Sequence, residues 1–145
     1  MECTVTWTGH AGGQSAMGFI AETGSGHILA MDGAPDPAKP EHSGRNFAPR
    51  PMETVLAGAG GCTAYDVVDI MRKKKQPLAR YRVEVEGERA ETHPRRYTRI
   101  TVTHIASGPG VTLEALERAV HLSHTKYCSV SATLNAEITT RVVLE

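Results

Sequence analysis

Polar and apolar residues alternate over residues 2–8, with Cys3, Val5 and Trp7 on one side and Thr4, Thr6 and Thr8 on the other. That period of two predicts a half-buried strand. Gly9-His10-Ala11-Gly12-Gly13 predicts a turn, and residues 15–21 and 27–31 follow as short strands separated by Gly24-Ser25-Gly26. The first third of the chain therefore predicts a small antiparallel meander. Residues 32–50 then carry Gly33, Pro35, Pro37, Pro40, Gly44 and Pro49, which predicts a long polar loop of the kind that is usually functional or mobile.

Pro51 suits the first turn of a helix. The helical pattern continues through Met71 into Arg72-Lys73-Lys74-Lys75, whose charges complement the helix C-terminal dipole, and Pro77 closes it. Residues 81–88 and 97–105 both alternate and are joined by a polar link over 90–96, so they predict a hairpin. After the turn Gly108-Pro109-Gly110, Thr112 caps another helical segment with Leu113, Leu116 and Val120 on one stripe. Residues 129–134 add a helical turn or two, and residues 138–144 a last strand. The predicted order is β-β-β-α-β-β-α-β, an α+β arrangement of strands paired antiparallel through hairpins with helices filling the core. No internal repeat is present.

At 145 residues the chain has the length of a single domain, assigned here to 1–145, large enough to bury a core. Sixteen Lys and Arg balance sixteen Asp and Glu, so no bulk field draws the chain to nucleic acid or an anionic membrane. The longest apolar run, near Val55 to Ala59, is far too short to span a bilayer, and Met1-Glu2-Cys3-Thr4 lacks the character of a signal peptide. The expectation is a cytoplasmic protein. Three cysteines, an odd number, argue against a disulfide scaffold and for free thiols or one functional pair plus a spare.

The candidate chemistry lies at Cys62, in Gly60-Gly61-Cys62-Thr63, and at Cys128, in Lys126-Tyr127-Cys128-Ser129-Val130-Ser131. On a helix, Ala64, Val67, Val68 and Met71 form a face opposite Cys62, whereas Asp66 and Asp69 flank it on its own side. The near-continuous apolar character from Met52 to Met71 predicts burial against a sheet on one side and a partner subunit on the other. Gly58, Gly60 and Gly61 allow two readings: close packing against another element, or a break that resets the helix N-terminus at Cys62 and lowers its thiol pKa. Asp66 and Asp69 would push that pKa the other way. A buried cysteine can equally serve only as a small hydrophobe. If the later helix runs through Cys128, His124 and His121 share its face, where they could activate a thiolate or, with a further ligand that the sequence does not supply nearby, bind a metal. Cys3 is expected to be a bystander.

Pro51-Met52-Glu53, Gly60-Gly61-Cys62-Thr63-Ala64 and Lys126-Tyr127-Cys128-Ser129-Val130-Ser131, in this order and at this separation, resemble the OsmC/Ohr family of osmotically induced and organic-hydroperoxide-resistance proteins, and within it the OsmC-like, YhfA-type branch. The resemblance covers nearly the whole chain. It implies antiparallel sheets wrapped around central helices in an intertwined homodimer, with paired cysteines at the subunit interface. It also implies a thiol-dependent peroxidase for organic hydroperoxides: Cys62 becomes a sulfenic acid, Cys128 resolves it to a disulfide, and an external dithiol restores both thiols. No cofactor and no metal is implied. The family's peroxidases carry Glu directly after the Pro and an Arg from the N-terminal region; here Met52 takes the first position, and residues 1–44 contain no Arg. Glu53, Arg45, Arg50, Asp66 and His124 are the supporting candidates that remain. The alternative is a relative that binds a small thiol-reactive molecule, or senses redox state, without efficient peroxidase turnover.

Overall fold

The computed structural model describes residues 1–9 and 15–145, so most of the turn predicted at residues 9–13 lies outside the described residues. The chain groups into two compact units, residues 1–55 and 56–145.

The first unit holds an antiparallel sheet of β1 (Cys3–Trp7), β2 (Phe19–Thr23) and β3 (Ile28–Met31) in that spatial order. Val5 pairs with Ala21, and Ala21 with Leu29. The meander is as predicted, but the burial of β1 is not: all five of its residues are exposed, including Val5 and Trp7. Alternation reveals which side chains share a face of a strand; it does not reveal whether anything covers that face.

Residues 32–50 form no regular element, yet they are tied down by a buried carboxylate. Asp32 accepts hydrogen bonds from the Ser15 hydroxyl, from the Gly33 N–H at 2.7 Å and from the Arg45 and Phe47 N–H groups at 3.0 Å each. Its own N–H donates to the Pro49 carbonyl at 3.0 Å, closing the loop on its base. Gly44 packs so tightly on Gly33 that a Cβ there would stand 1.9 Å from the Gly33 carbonyl oxygen. Burial alone would raise the Asp32 pKa, but the Ser15, Phe47, Arg45 and Gly33 donors outweigh it and bring it from 3.8 down to about 2.

Helix α1 (Pro51–Lys73) begins in the first unit. Pro51 occupies its first turn, where no N–H partner is needed. The Glu53 carboxylate accepts the Arg50 N–H at 2.8 Å and pairs with the Arg50 guanidinium at 3.4 Å, so the two residues close the helix N-terminus as a capping pair.

In the second unit, β4 (Arg80–Arg89), β5 (Tyr97–Ser107) and β6 (Glu137–Leu144) form a sheet in that order. The predicted hairpin is β4–β5. β6 departs from the all-antiparallel expectation and pairs parallel to β5, with His104 opposite Val142. Its connection from β5 carries helices, and a crossover of that length returns the chain to the same end of the sheet. Helix α2 (Leu113–Leu122) is capped by Thr112, whose hydroxyl accepts the Ala115 N–H at 3.2 Å. The core of this unit joins Val67 and Met71 of α1, Ala106 of β5, Val111, and Leu116, Ala119 and Val120 of α2. Val67, Met71 and Leu116 are fully buried. No helix among the described residues is long and apolar enough to cross a membrane.

Candidate active site

The helix carrying Cys62 runs unbroken from Pro51 to Lys73, so the glycines before Cys62 do not reset a helix N-terminus. Gly60 has the other reading: a Cβ at this position would meet Val85 Cγ2 at 2.9 Å, and α1 uses the missing side chain to lie close on β4. Gly58 and Gly61 face open space. The buried row of α1 is Ala59, Gly60, Thr63, Val67 and Met71, with Cys62 half-buried beside it.

Helix α2 does not continue to Cys128. It stops at Leu122 and passes into a π-helical turn, Ser123–Tyr127, in which the Cys128 N–H donates to the Ser123 carbonyl at 2.8 Å. Cys128 itself is extended (φ −68°, ψ 99°) and caps a short helix α3 (Ser129–Thr133). The widened turn breaks the four-residue spacing on which His124 and His121 were expected to share a face with Cys128. His121 is exposed and His124 half-buried, whereas Cys128 is buried.

These two local features bring the thiols together. The Cys62 thiol lies close enough to Cys128, and to the Val130 N–H at the start of α3, for both to act on its ionisation. The Cys128 sulfur accepts the Ser131 hydroxyl at 3.1 Å and the Ser131 N–H at 3.5 Å. Both cysteines are free. Burial pushes the Cys62 thiol above its ordinary range; the Val130 N–H pulls it down, while the contact with Cys128 and the charges of Cys128 and Asp66 push it up. The competition left open by the sequence is thus decided against the thiolate in the resting state.

Asp66, one helical turn after Cys62, accepts the Ser123 hydroxyl at 2.8 Å, and Ser123 Oγ lies 2.8 Å from Thr63 Oγ1. Because Ser123 donates to the carboxylate, the Thr63 hydroxyl is left to donate to Ser123. Asp69 points away into an exposed pair with Lys73 at 2.6 Å. Arg45, Arg50 and Glu53 lie in the first unit, where Arg45 donates its backbone N–H to Asp32 and the other two cap α1. Cys3 is exposed on β1. Among the described residues no group of three or more His, Cys, Asp or Glu side chains is placed to hold a metal.

Ser123, Thr63 and Ser131 are the neighbours that sequence reasoning missed. Ser131 was the one with a signal, since a capping side chain ordinarily takes the N–H three residues on, and Cys128-Ser129-Val130-Ser131 has that spacing. For Ser123 and Thr63, one small hydroxyl in an apolar stripe carries no mark of its partner.

The family model described as OsmC-like protein matches residues 42–143. The chain is also 38% identical to Protein YhfA of Escherichia coli K12 over 138 residues, spanning 95% of this chain and 92% of that protein. The chain belongs to the OsmC-like family. A hypothetical protein from Aquifex aeolicus has a solved structure with a TM-score of 0.75 and 30% identity, covering 99% of this chain and 96% of its own. An organic hydroperoxide resistance protein from Elizabethkingia anophelis shares the OsmC-like fold at a TM-score of 0.64 and 18% identity, covering 99% and 94% of the two chains. Membership of the OsmC-like family suggests a redox or peroxide-related role for the chain.

Proposed function

We propose that the protein is a thiol-dependent peroxidase that reduces organic hydroperoxides through Cys62 and Cys128. The observation that carries this reading is the proximity of the two thiols, each near enough to act on the other's ionisation although they lie 66 residues apart in sequence. The Cys62 thiolate attacks the distal peroxide oxygen, the O–O bond breaks, and the alcohol leaves with a proton from solvent. Cys62 is now a sulfenic acid. The Cys128 sulfur attacks it, the S–O bond breaks, and water departs as the disulfide forms. An external dithiol returns the site to two thiols by exchange. We place this cycle in the cytoplasm, where a reducing pool suits three free cysteines.

The test is titration of the reduced protein with cumene hydroperoxide, following free thiols and mapping linkages by mass. Loss of two thiols per chain with a Cys62–Cys128 bond is expected, and Cys62→Ser should abolish it. Loss no faster than in that variant would sink the reading.

A second reading has a specific observation in its favour. The charges acting on Cys62, those of Cys128 and Asp66, both oppose its ionisation, and a thiol is a poor nucleophile while protonated. A slow site of this kind would serve as a redox sensor or bind a small thiol-reactive molecule. Oxidation to the same disulfide at a rate too low for turnover would favour it.

The family resemblance further implies a homodimer, and the open face of α1 supports it. Gly58, Gly61 and Tyr65 are exposed there, Tyr65 at 78%, and a groove of about 380 Å³ runs along Gly61, Ala64, Tyr65, Val68, Asp69 and Arg72. An apolar helix face of this kind is ordinarily covered. Gel filtration with light scattering should give twice the chain mass for the protein and the single-chain mass for Tyr65→Glu; a monomeric parent protein would refute the dimer.

A further inference from the structure

We propose that Asp66 is the positioning residue of the thiol pair, holding the Cys128 sulfur against Cys62 through Ser123. The proposal rests on the two-cysteine reading and assigns one of its steps, the closure of the disulfide.

Three observations support it. Asp66 stands on α1 one turn beyond Cys62, so its carboxylate is fixed relative to the first thiol by continuous helix. Ser123 is fully buried and donates its hydroxyl to that carboxylate at 2.8 Å. The same Ser123 supplies the carbonyl that closes the π-helical turn on the Cys128 N–H, also at 2.8 Å. One residue therefore holds the helix of the first thiol with its side chain and the turn of the second thiol with its backbone. Thr63, buried one position after Cys62, joins from the other side at 2.8 Å. A hydrogen bond to an ionised acceptor is among the stronger kinds, and leaving Ser123 buried without it costs its desolvation as well.

The π-helical turn Ser123–Tyr127 follows α2 directly, and widened turns of this kind are frequent at functional sites. Here it sets the Cys128 backbone so that its sulfur meets Cys62 instead of following the α2 stripe. The Asp66 charge has an opposing effect on the first step, since it disfavours the Cys62 thiolate. A carboxylate that slows activation and is kept beside the thiol is accounted for by what it does for closure.

The step it controls balances without a further reactant. After peroxide attack, Cys62 holds –SOH and Cys128 holds –SH. The Cys128 sulfur forms the S–S bond, the Cys62 S–O bond breaks, and the oxygen leaves as water with the Cys128 proton and its own. Delay leaves the sulfenic acid exposed to a second peroxide and to sulfinic acid.

The test compares Asp66→Ala, Asp66→Asn and Ser123→Ala with the parent protein, each checked for folding by near-ultraviolet circular dichroism. Each is exposed to an excess of cumene hydroperoxide, and sulfenic acid, disulfide and sulfinic acid at Cys62 are resolved in time by mass spectrometry. Closure in Asp66→Ala and Ser123→Ala should slow about tenfold with sulfinic acid accumulating, the effect of losing one charge-assisted hydrogen bond. Asp66→Asn keeps an oxygen acceptor for Ser123 and should close within about threefold of the parent, since only the charge is gone. Closure as fast as the parent in Ser123→Ala, or as slow in Asp66→Asn as in Asp66→Ala, overturns the proposal. Should Asp66→Ala fail to fold, the other two variants decide. The same closure is driven by diamide, an oxidant that needs no peroxidase activity. If the parent protein ignores hydroperoxide, the two-cysteine peroxidase fails, while the diamide closure rates still decide the role of Asp66.

Discussion

Cys128 and Ser131 form a closed unit in which one sulfur takes both the hydroxyl and the backbone N–H of the same serine, at 3.1 and 3.5 Å. The cysteine is the cap of α3, so its sulfur stands where a serine or threonine oxygen usually would. Donors at these positions favour negative charge arriving on the sulfur, as the proposed cycle requires when an external dithiol attacks Cys62 of the disulfide and Cys128 leaves. Ser131→Ala should slow reduction of the Cys62–Cys128 disulfide by dithiothreitol about threefold to tenfold, the remaining N–H donor preserving the rest. An unchanged rate would show that the hydroxyl does not assist the leaving sulfur.

Asp32 supplies a prediction about the loop. Its folded pKa of about 2 lies below the ordinary 3.8, so the stabilisation is present above pH 3.8 and is lost as the pH falls through 2. A shift of that size corresponds to about 2 kcal/mol. Asp32→Asn should lower stability at pH 7 by a similar amount and flatten its fall between pH 4 and pH 2, as measured by urea denaturation across that range.

His104 gives a second acid dependence at higher pH. It is fully buried, its Nδ1 lies 2.6 Å from the Tyr81 hydroxyl, and its Nε2 has no partner among the described residues. Burial lowers its pKa from 6.5 to about 4, and burial raises that of Tyr81, so the pair meets as neutral groups. The sign follows from the depressed value: a buried neutral imidazole contributes stability above pH 6.5 that is lost as the pH falls through 4. His104→Phe should make stability nearly independent of pH between 6.5 and 4, whereas the parent protein should lose about 3 kcal/mol over that interval. Equal slopes for the two proteins would place the acid sensitivity elsewhere.

Gly60 tests the seating of α1 on β4. An added Cβ meets the Cγ2 methyl of Val85 at 2.9 Å, and a β-branched side chain in a strand has little freedom to turn away. Overpacking of this kind costs about 1–3 kcal/mol against a helix-propensity gain of about 1 kcal/mol. Gly60→Ala should therefore lower Tm, and a rise would mean the helix backs away from the sheet without penalty.

Sequence by itself determined the elements and their order, because each is written in a local period or stop signal. Pro51, the apolar run that follows it and the basic stretch after Met71 define α1, and the Thr112 side chain caps α2 as its position predicted. The residues around Cys62 and Cys128 also carried the family resemblance, since they are short linear strings. What only the tertiary structure decided is every relation across the chain. The parallel pairing of β6, the tethering of the 32–50 loop by Asp32, and the Asp66–Ser123 bond that spans 57 residues are not periodic in anything the sequence displays. The turn before Cys128 shows why. Local pattern continues α2 through His124, but burying Ser123 against Asp66 and Thr63 favours a wider turn, and that turn moves Cys128 from the helix stripe to the Cys62 thiol. Helical propensity differs little from residue to residue there, so packing and the half-buried Asp66 charge settle the backbone.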